Sequence, residues 1–264
     1  MVPARFRSVP MRLDDQKLTL LEERVQVLKR TEKDADQRKT YDEVFDEATL
    51  MALYKLISAG TIATVDYPVS TGKEGNVFHA TTSKGGVALK IYRVNTATFR
   101  SLAEYLRGDP RFKKIGRTFR EMVTVWAQKE FKNLQRMRAA GVLVPEPLAV
   151  HLNCLLMEYV GDETMPAPMI REVLLEDPSA AYEDVVASMA AMRKAELVHG
   201  DLSEYNLLWW DERPWVIDCA QSVPFAHPRS DDWFKRDVRN IARYFAHLGV
   251  DTDATRLEAR LRGG

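Results

Sequence analysis

The residues able to do chemistry form an ordered series. The run His199-Gly200-Asp201-Leu202-Ser203-Glu204-Tyr205-Asn206 places a carboxylate five residues before a carboxamide. Twelve residues on, Val216-Ile217-Asp218 ends an apolar run in a second carboxylate. One carboxylate can orient a nucleophile by accepting its proton. One amide oxygen and one carboxylate oxygen suit Mg²⁺, which takes few protein ligands and completes its shell with water and phosphate oxygens. Upstream, Ser70-Thr71-Gly72-Lys73-Glu74-Gly75-Asn76-Val77 carries glycines that let backbone N–H groups approach phosphate oxygens. Lys90, in Val87-Ala88-Leu89-Lys90, follows at hairpin spacing and offers a cation to the same phosphates. A carboxylate on the next helix could hold that lysine. Glu130 is the favoured partner, with Glu104 and Glu121 also available. Such a set neutralises phosphate charge and orients an acceptor.

The order follows the protein-kinase template: G-x-G-x-x-G-x-V, V-A-I-K, H-R-D-x-x-x-x-N and D-F-G. Asp201 falls on the base, Lys90 on the phosphate lysine, and Asn206 and Asp218 on the metal ligands. The departures are as informative. Ser70 stands for the first glycine, Gly200 for the arginine, and Cys219-Ala220 for Phe-Gly. There is no A-P-E, and 46 residues follow Asp218, too few for the large helical substrate platform of ordinary protein kinases. The glycine run taken alone also fits a plain hairpin turn. It is not a Walker A loop, because Glu follows Gly72-Lys73. His79, His151, His227 and His247 show no metal spacing. Cys219 reads as a small buried residue and the tryptophans as core.

Elements to position these residues are legible. Apolar spacing predicts helices over 14–31 and from Val44 to near Gly60, joined by the charged linker 32–40. ATVDYPV, GNVFHATT and GVALKIYRV read as strands, with Ser83-Lys84-Gly85-Gly86 as a hairpin turn. Residues 94–120, broken by Gly108-Asp109-Pro110, read as a partly mobile basic insertion. A long helix over 121–140, strands in VLVPEPLAV and NCLLMEYV, helices over 168–176 and 179–195, the hairpin NLLWW-DERP-WVID and a helix over 231–248 follow. The fold class is α+β, a trimmed bilobal arrangement with a small β-rich lobe, a mainly helical second lobe and N-terminal helices. Its interlobe crevice is the expected ligand site.

Composition bounds the rest. The chain has 264 residues, 45% hydrophobic, so it can bury a substantial core. Two cysteines cannot build a disulfide scaffold. No apolar run approaches a membrane span, and the N-terminus lacks a secretory h-region, so a soluble cytoplasmic protein is expected. The formal net charge of zero is a cancellation. Residues 70–157 carry 15 basic and 6 acidic side chains, net +9; residues 158–264 carry 12 and 20, net −8. Eight basic residues and two acidic ones lie between Arg93 and Arg120. That excess points to nucleic-acid phosphates as well as to a nucleotide.

The motifs resemble those of the RIO family of atypical kinases. STGKEGNVFHA is similar to that family's phosphate loop, LVHGDLSEYNLL to its catalytic loop and VIDCAQSV to its metal loop. The Ser-Thr-Gly-Lys-Glu form resembles the first subfamily, which usually has Ala at Gly75; glycine there should loosen the loop. The resemblance covers about residues 40–248. It implies residues 1–45 as an N-terminal extension and 46–264 as the RIO kinase domain, with an N-lobe over 46–157, a hinge at 158–161 and a C-lobe over 162–264. It implies ATP and Mg²⁺, with Mn²⁺ possible, and Ser/Thr phosphorylation, including of the chain itself. It implies ATP hydrolysis during small ribosomal subunit maturation. Asp218 matches the aspartate that accepts phosphate, Met157 the gatekeeper, and Glu158 and Val160 the hinge whose backbone holds adenine. The implied partners are pre-ribosomal particles and rRNA, the latter through 93–120. Two other readings stay open: an ATPase switch with little protein kinase activity, and a small-molecule kinase of the aminoglycoside or choline type. The QSV run and the phosphate-loop form argue against the second.

Overall fold

The computed structural model describes residues 13–27, 44–72, 74–94, 99–112 and 118–263. The linker 32–40 and Lys73 lie outside them. The N-lobe is built on a five-stranded antiparallel sheet in the order β1-β2-β3-β5-β4. Its strands are β1 (Thr64–Thr71), β2 (Gly75–Thr82), β3 (Gly85–Tyr92), β4 (Pro147–His151) and β5 (Cys154–Glu158). The period-two alternation of β3 decides what each face does. Val87, Leu89 and Ile91 join Phe78, Ala80 and Leu156 under two helices, α1 (Asp15–Arg24) and α2 (Glu47–Ser58). Ala88, Lys90 and Tyr92 point the other way, with Val77 and Met157, toward the second lobe.

The helix predicted from apolar spacing is interrupted at Val25, and residues 26–27 are helical again. Asp14 caps its start, and Val25 leaves the helix to pair in parallel with Val65 at the sheet edge. The segment after β3, expected to be partly mobile, is packed where it is described. It forms α3 (Phe99–Leu106), and Tyr105, Leu106 and Phe112 are buried in the main core. The long helix α4 (Phe119–Ala139) begins with a capping box: Thr118 accepts from the Glu121 N–H, and Glu121 accepts from the Thr118 N–H.

The C-lobe holds α5 (Pro178–Lys194), the short pair β6 (Leu197–Val198) and β9 (Val223–Pro224), and the hairpin β7 (Leu207–Trp210) and β8 (Arg213–Val216). It closes with α6 (Ser230–His247) and α7 (Ala254–Gly263). Between Pro168 and Glu176 only a single 3-10 turn, Ile170–Glu172, replaces the expected helix. The backbone there is committed elsewhere: Met169 pairs with Leu208, and the Pro168 carbonyl accepts from Trp209. Asp177 then caps α5, with Pro178 at its first position. α7 was not anticipated; it buries Leu257 and Leu261 against the lobe.

Candidate active site

The hairpin β7–β8 brings the two metal-ligand candidates together. Asn206 immediately precedes β7, and the Ile217 N–H donates to the Asn206 carbonyl at 3.1 Å, continuing the ladder to the residue before Asp218. Asp218 itself is left-handed, at φ 58° and ψ 53°. That region is strained for a residue with a Cβ, and such strain concentrates at functional sites.

Lys90 reaches from β3 to three carboxylate oxygens. Its Nζ donates to Glu130 Oε1 and Oε2 at 3.0 and 2.8 Å and to Asp218 Oδ1 at 2.7 Å. This settles the choice among glutamates, since Glu121 caps α4 and Glu104 pairs with Arg229. Burial alone would lower the Lys90 pKa, but Asp218 and Glu130 outweigh it and raise it. Enclosure in the cleft pushes the Asp218 carboxyl up, and Lys90 more than offsets this, leaving it lowered. Glu74, from the phosphate loop, faces the same cluster. Burial, then Asp218, pushes its carboxyl up to about 7.

The other phosphate-loop candidates divide by strand face. Ser70 sits opposite Val77 and Thr71 opposite Asn76, and the Gly72 N–H donates to the Gly75 carbonyl at 3.0 Å. Val77 lies on the cleft face, opposite Lys90. Asn76 does not: it is buried opposite Ile91, and its Oδ1 accepts from Arg93. Its side chain therefore braces the strand and is not a nucleotide contact. Gly75 has a steric role at this strand. A Cβ there would stand 2.6 Å from the Ile91 carbonyl oxygen, so glycine permits a close backbone approach.

At the hinge, Met157 lies opposite Ala88 on the cleft face. The Glu158 N–H donates to the Glu146 carbonyl, and its carboxylate accepts from the Glu146 N–H. The Glu158 N–H is therefore already engaged within the protein. The Val160 N–H has no hydrogen-bond partner among the described residues.

The catalytic loop is held by residues that sequence reasoning missed. His199 is buried. The Asp201 N–H donates to its Nδ1 at 3.3 Å, so the proton sits on Nε2, which donates to the Ile217 carbonyl at 3.1 Å. Burial pushes its pKa down to about 4. From α6, the buried Asp237 accepts from the Gly200 and Leu202 N–H groups, each at 2.8 Å, and Asn240 donates to the Leu202 carbonyl. Burial, opposed by those two amides, pushes Asp237 up to about 7. Asn206 Nδ2 donates to the Asp201 carbonyl at 2.8 Å.

α4 grips the metal loop with equal thoroughness. The fully buried Lys129 donates to the Ala220 and Ser222 carbonyls, both at 2.6 Å, and Asn133 donates to the Cys219 and Ser222 carbonyls. Glu130 accepts from the Cys219 N–H. Arg111, in the inserted segment, pairs with Asp109 and donates to Asn133 and to the Ser222 carbonyl. It is thus an internal brace, whereas it was expected to face a nucleic acid.

The donor set fits a small hard cation. Asn206 Oδ1 and Asp218 Oδ2 have no hydrogen-bond partner among the described residues. One amide and one carboxylate leave room for phosphate oxygens and water. Among the described residues no group of three or more His, Cys, Asp or Glu could form an all-protein metal cage.

Comparisons with known proteins bear on the family and the fold. The model of the RIO domain matches residues 76–257. The chain belongs to the RIO family. It is 47% identical over 226 residues to the RIO-type serine/threonine-protein kinase Rio1 of Haloferax volcanii, covering 85% of this chain and 78% of that one. It is 36% identical over 224 residues to the human serine/threonine-protein kinase RIO1, covering 83% and 39%. Among solved structures, the Rio2 kinase of Chaetomium thermophilum superposes with a TM-score of 0.59 at 28% identity, over 74% of this chain and 60% of that one. The relatives place it with the RIO1 type of atypical serine/threonine kinases. It spans most of the archaeal relative and less than half of the human one.

Proposed function

We propose that this RIO chain transfers the γ-phosphoryl group of ATP, with Mg²⁺, to serine or threonine hydroxyls, its own included, and to water. The observation that carries the reading is the meeting of Lys90, Glu130 and Asp218 beside a catalytic loop that carries Asp201 and Asn206. Lys90 neutralises phosphate charge and Glu130 holds it in place. Asp201 orients the acceptor hydroxyl and takes its proton. The backbone of Glu158 and Val160, beside Met157, takes the adenine. Asn206 and Asp218 hold Mg²⁺, which supplies further neutralisation of the phosphates. Mn²⁺ has the same ligand preference and is expected to substitute. Asp201→Ala should cut transfer by roughly 10²–10⁴-fold while ATP still binds. Undiminished turnover of labelled ATP in that variant would remove Asp201 from the mechanism.

A second reading is favoured by one observation. Only a 3-10 turn and β9 separate Asp218 from α6, which leaves little surface to seat a protein substrate. In this reading the chain is an ATPase switch in small ribosomal subunit maturation. A carboxylate oxygen of Asp218 attacks the γ-phosphorus, ADP leaves, and water hydrolyses the acyl phosphate. Particle-stimulated turnover without labelled protein product would select it. Lys113, Lys114 and Arg117, outside the described residues, remain the candidates for contacting rRNA phosphates. Neutralising them should flatten the salt dependence of particle binding. Among the described residues no helix is long and apolar enough to cross a membrane.

A further inference from the structure

The catalytic loop has glycine where the kinase template has arginine. Gly200 is at φ +84°, and a Cβ there would meet the Gln221 carbonyl oxygen at 3.2 Å. A guanidinium nevertheless reaches this spot from another element. Arg236, on α6, donates from Nη2 to the Gly200 carbonyl and lies 3.8 Å from Asp201 Oδ1. The same Nη2 donates to the Tyr105 hydroxyl at 3.1 Å.

Tyr105 belongs to α3, in the segment inserted between β3 and α4. That helix is docked on the start of α6 by several independent contacts. The Tyr105 ring stacks on Trp233, with centroids 4.3 Å apart and planes 20° from parallel. Glu104 pairs with Arg229, and His227 donates to the Arg107 carbonyl at 2.8 Å. Tyr105 is thus fixed by its ring and presents its hydroxyl to Arg236. Arg236 Nε is buried without a partner, so the guanidinium is held by its Nη2 contacts.

We infer that Arg236 is a positioning residue for the catalytic aspartate, and that Tyr105 sets Arg236, so that docking of α3 on α6 controls turnover at Asp201. This rests on the proposed role of Asp201 as the base. Arg236 fixes the backbone immediately before Asp201 and opposes its charge; it touches no atom assigned to the nucleotide.

The test uses the full chain and the variants Arg236→Met, Arg236→Lys, Tyr105→Phe and the double variant Tyr105→Phe/Arg236→Met. Turnover, KM for ATP and thermal midpoint are measured for each. Arg236→Met should lower kcat roughly ten- to a hundredfold with KM for ATP unchanged, because misplacing a catalytic group costs rate and not nucleotide binding. Arg236→Lys should recover most of that loss. Tyr105→Phe keeps the ring stack and should lower kcat about three- to tenfold. The double variant should be no slower than Arg236→Met alone, since the hydroxyl acts through the guanidinium. Full kcat in Arg236→Met, or losses that multiply in the double variant, would overturn the inference. Should Arg236→Met fail to fold, full kcat in Tyr105→Phe would overturn it alone. An inactive Asp201→Ala beside a fully active Arg236→Met defeats this inference only; an active Asp201→Ala defeats the assignment of the base itself.

Discussion

Replacing His199 by glutamine should change how stability responds to acid. In the folded chain burial holds His199 near 4, against an ordinary 6.5. The unfolded chain therefore binds more protons between those values. Stability contributed by neutral His199 is fully present above pH 6.5 and is lost as pH falls toward 4. The gap corresponds to about 3 kcal/mol. The structural cost is specific, because protonating Nδ1 destroys the acceptor for the Asp201 N–H. Glutamine can mimic the neutral ring, donating to the Ile217 carbonyl and accepting from Asp201, but it does not titrate. Asp237 works in the opposite direction. Its folded value of about 7 lies above the ordinary 3.8, so its contribution is greatest below 3.8 and is lost as pH rises through 7. That contribution is common to both proteins and cancels in their difference. Urea unfolding of wild type and His199→Gln at intervals from pH 7 to pH 4 gives the two curves. The wild type should lose about 3 kcal/mol relative to the variant over that range. Parallel curves would refute the argument.

Three further outcomes are expected. Lys90→Met strands the buried Glu130 beside Asp218, so nucleotide binding should weaken and denaturation should show a loss of about 3–5 kcal/mol. Lys129→Met removes the donor to two buried carbonyls of the metal loop; it should cost about 1–3 kcal/mol in unfolding experiments and raise the Mg²⁺ concentration needed for half-maximal turnover. Gly75→Ala forces the phosphate loop away from the Ile91 carbonyl, and kinetic assays should show a raised KM for ATP.

Local pattern carried the catalytic series because its logic is local. The alternation in β3 fixes which face Lys90 occupies, and the hairpin β7–β8 puts Asn206 and Asp218 at adjacent strand ends. What stayed hidden is the set of groups that hold those loops, whose partners are distant in sequence. Lys129 carries no motif of its own, and its partners lie 91 and 93 residues away. Arg236 and Asp237 serve a loop 35 to 37 residues earlier. A signal for some of them did exist. Glu130 and Asn133 share the buried stripe of α4 with Trp126 and Met137, and Asp237 lies among Phe234, Val238 and Ile241 on that of α6. A polar residue on an apolar helical stripe must find a partner in the interior. The inserted segment misled for a different reason. Its basic composition suggested solvent, but Tyr105, Leu106 and Phe112 anchor it in the core.

The charge balance gains a structural meaning from these contacts. The +9 half does not present all of its charge outward. Lys90, Lys129 and Arg111 are consumed at the seam with the −8 half, by Asp218 and by the carbonyls of residues 220 and 222. Three grips from one helix, at Lys129, Glu130 and Asn133, tie α4 to the metal loop. In that arrangement the lysine's carboxylate partner cannot swing away without dragging the loop that bears Asp218.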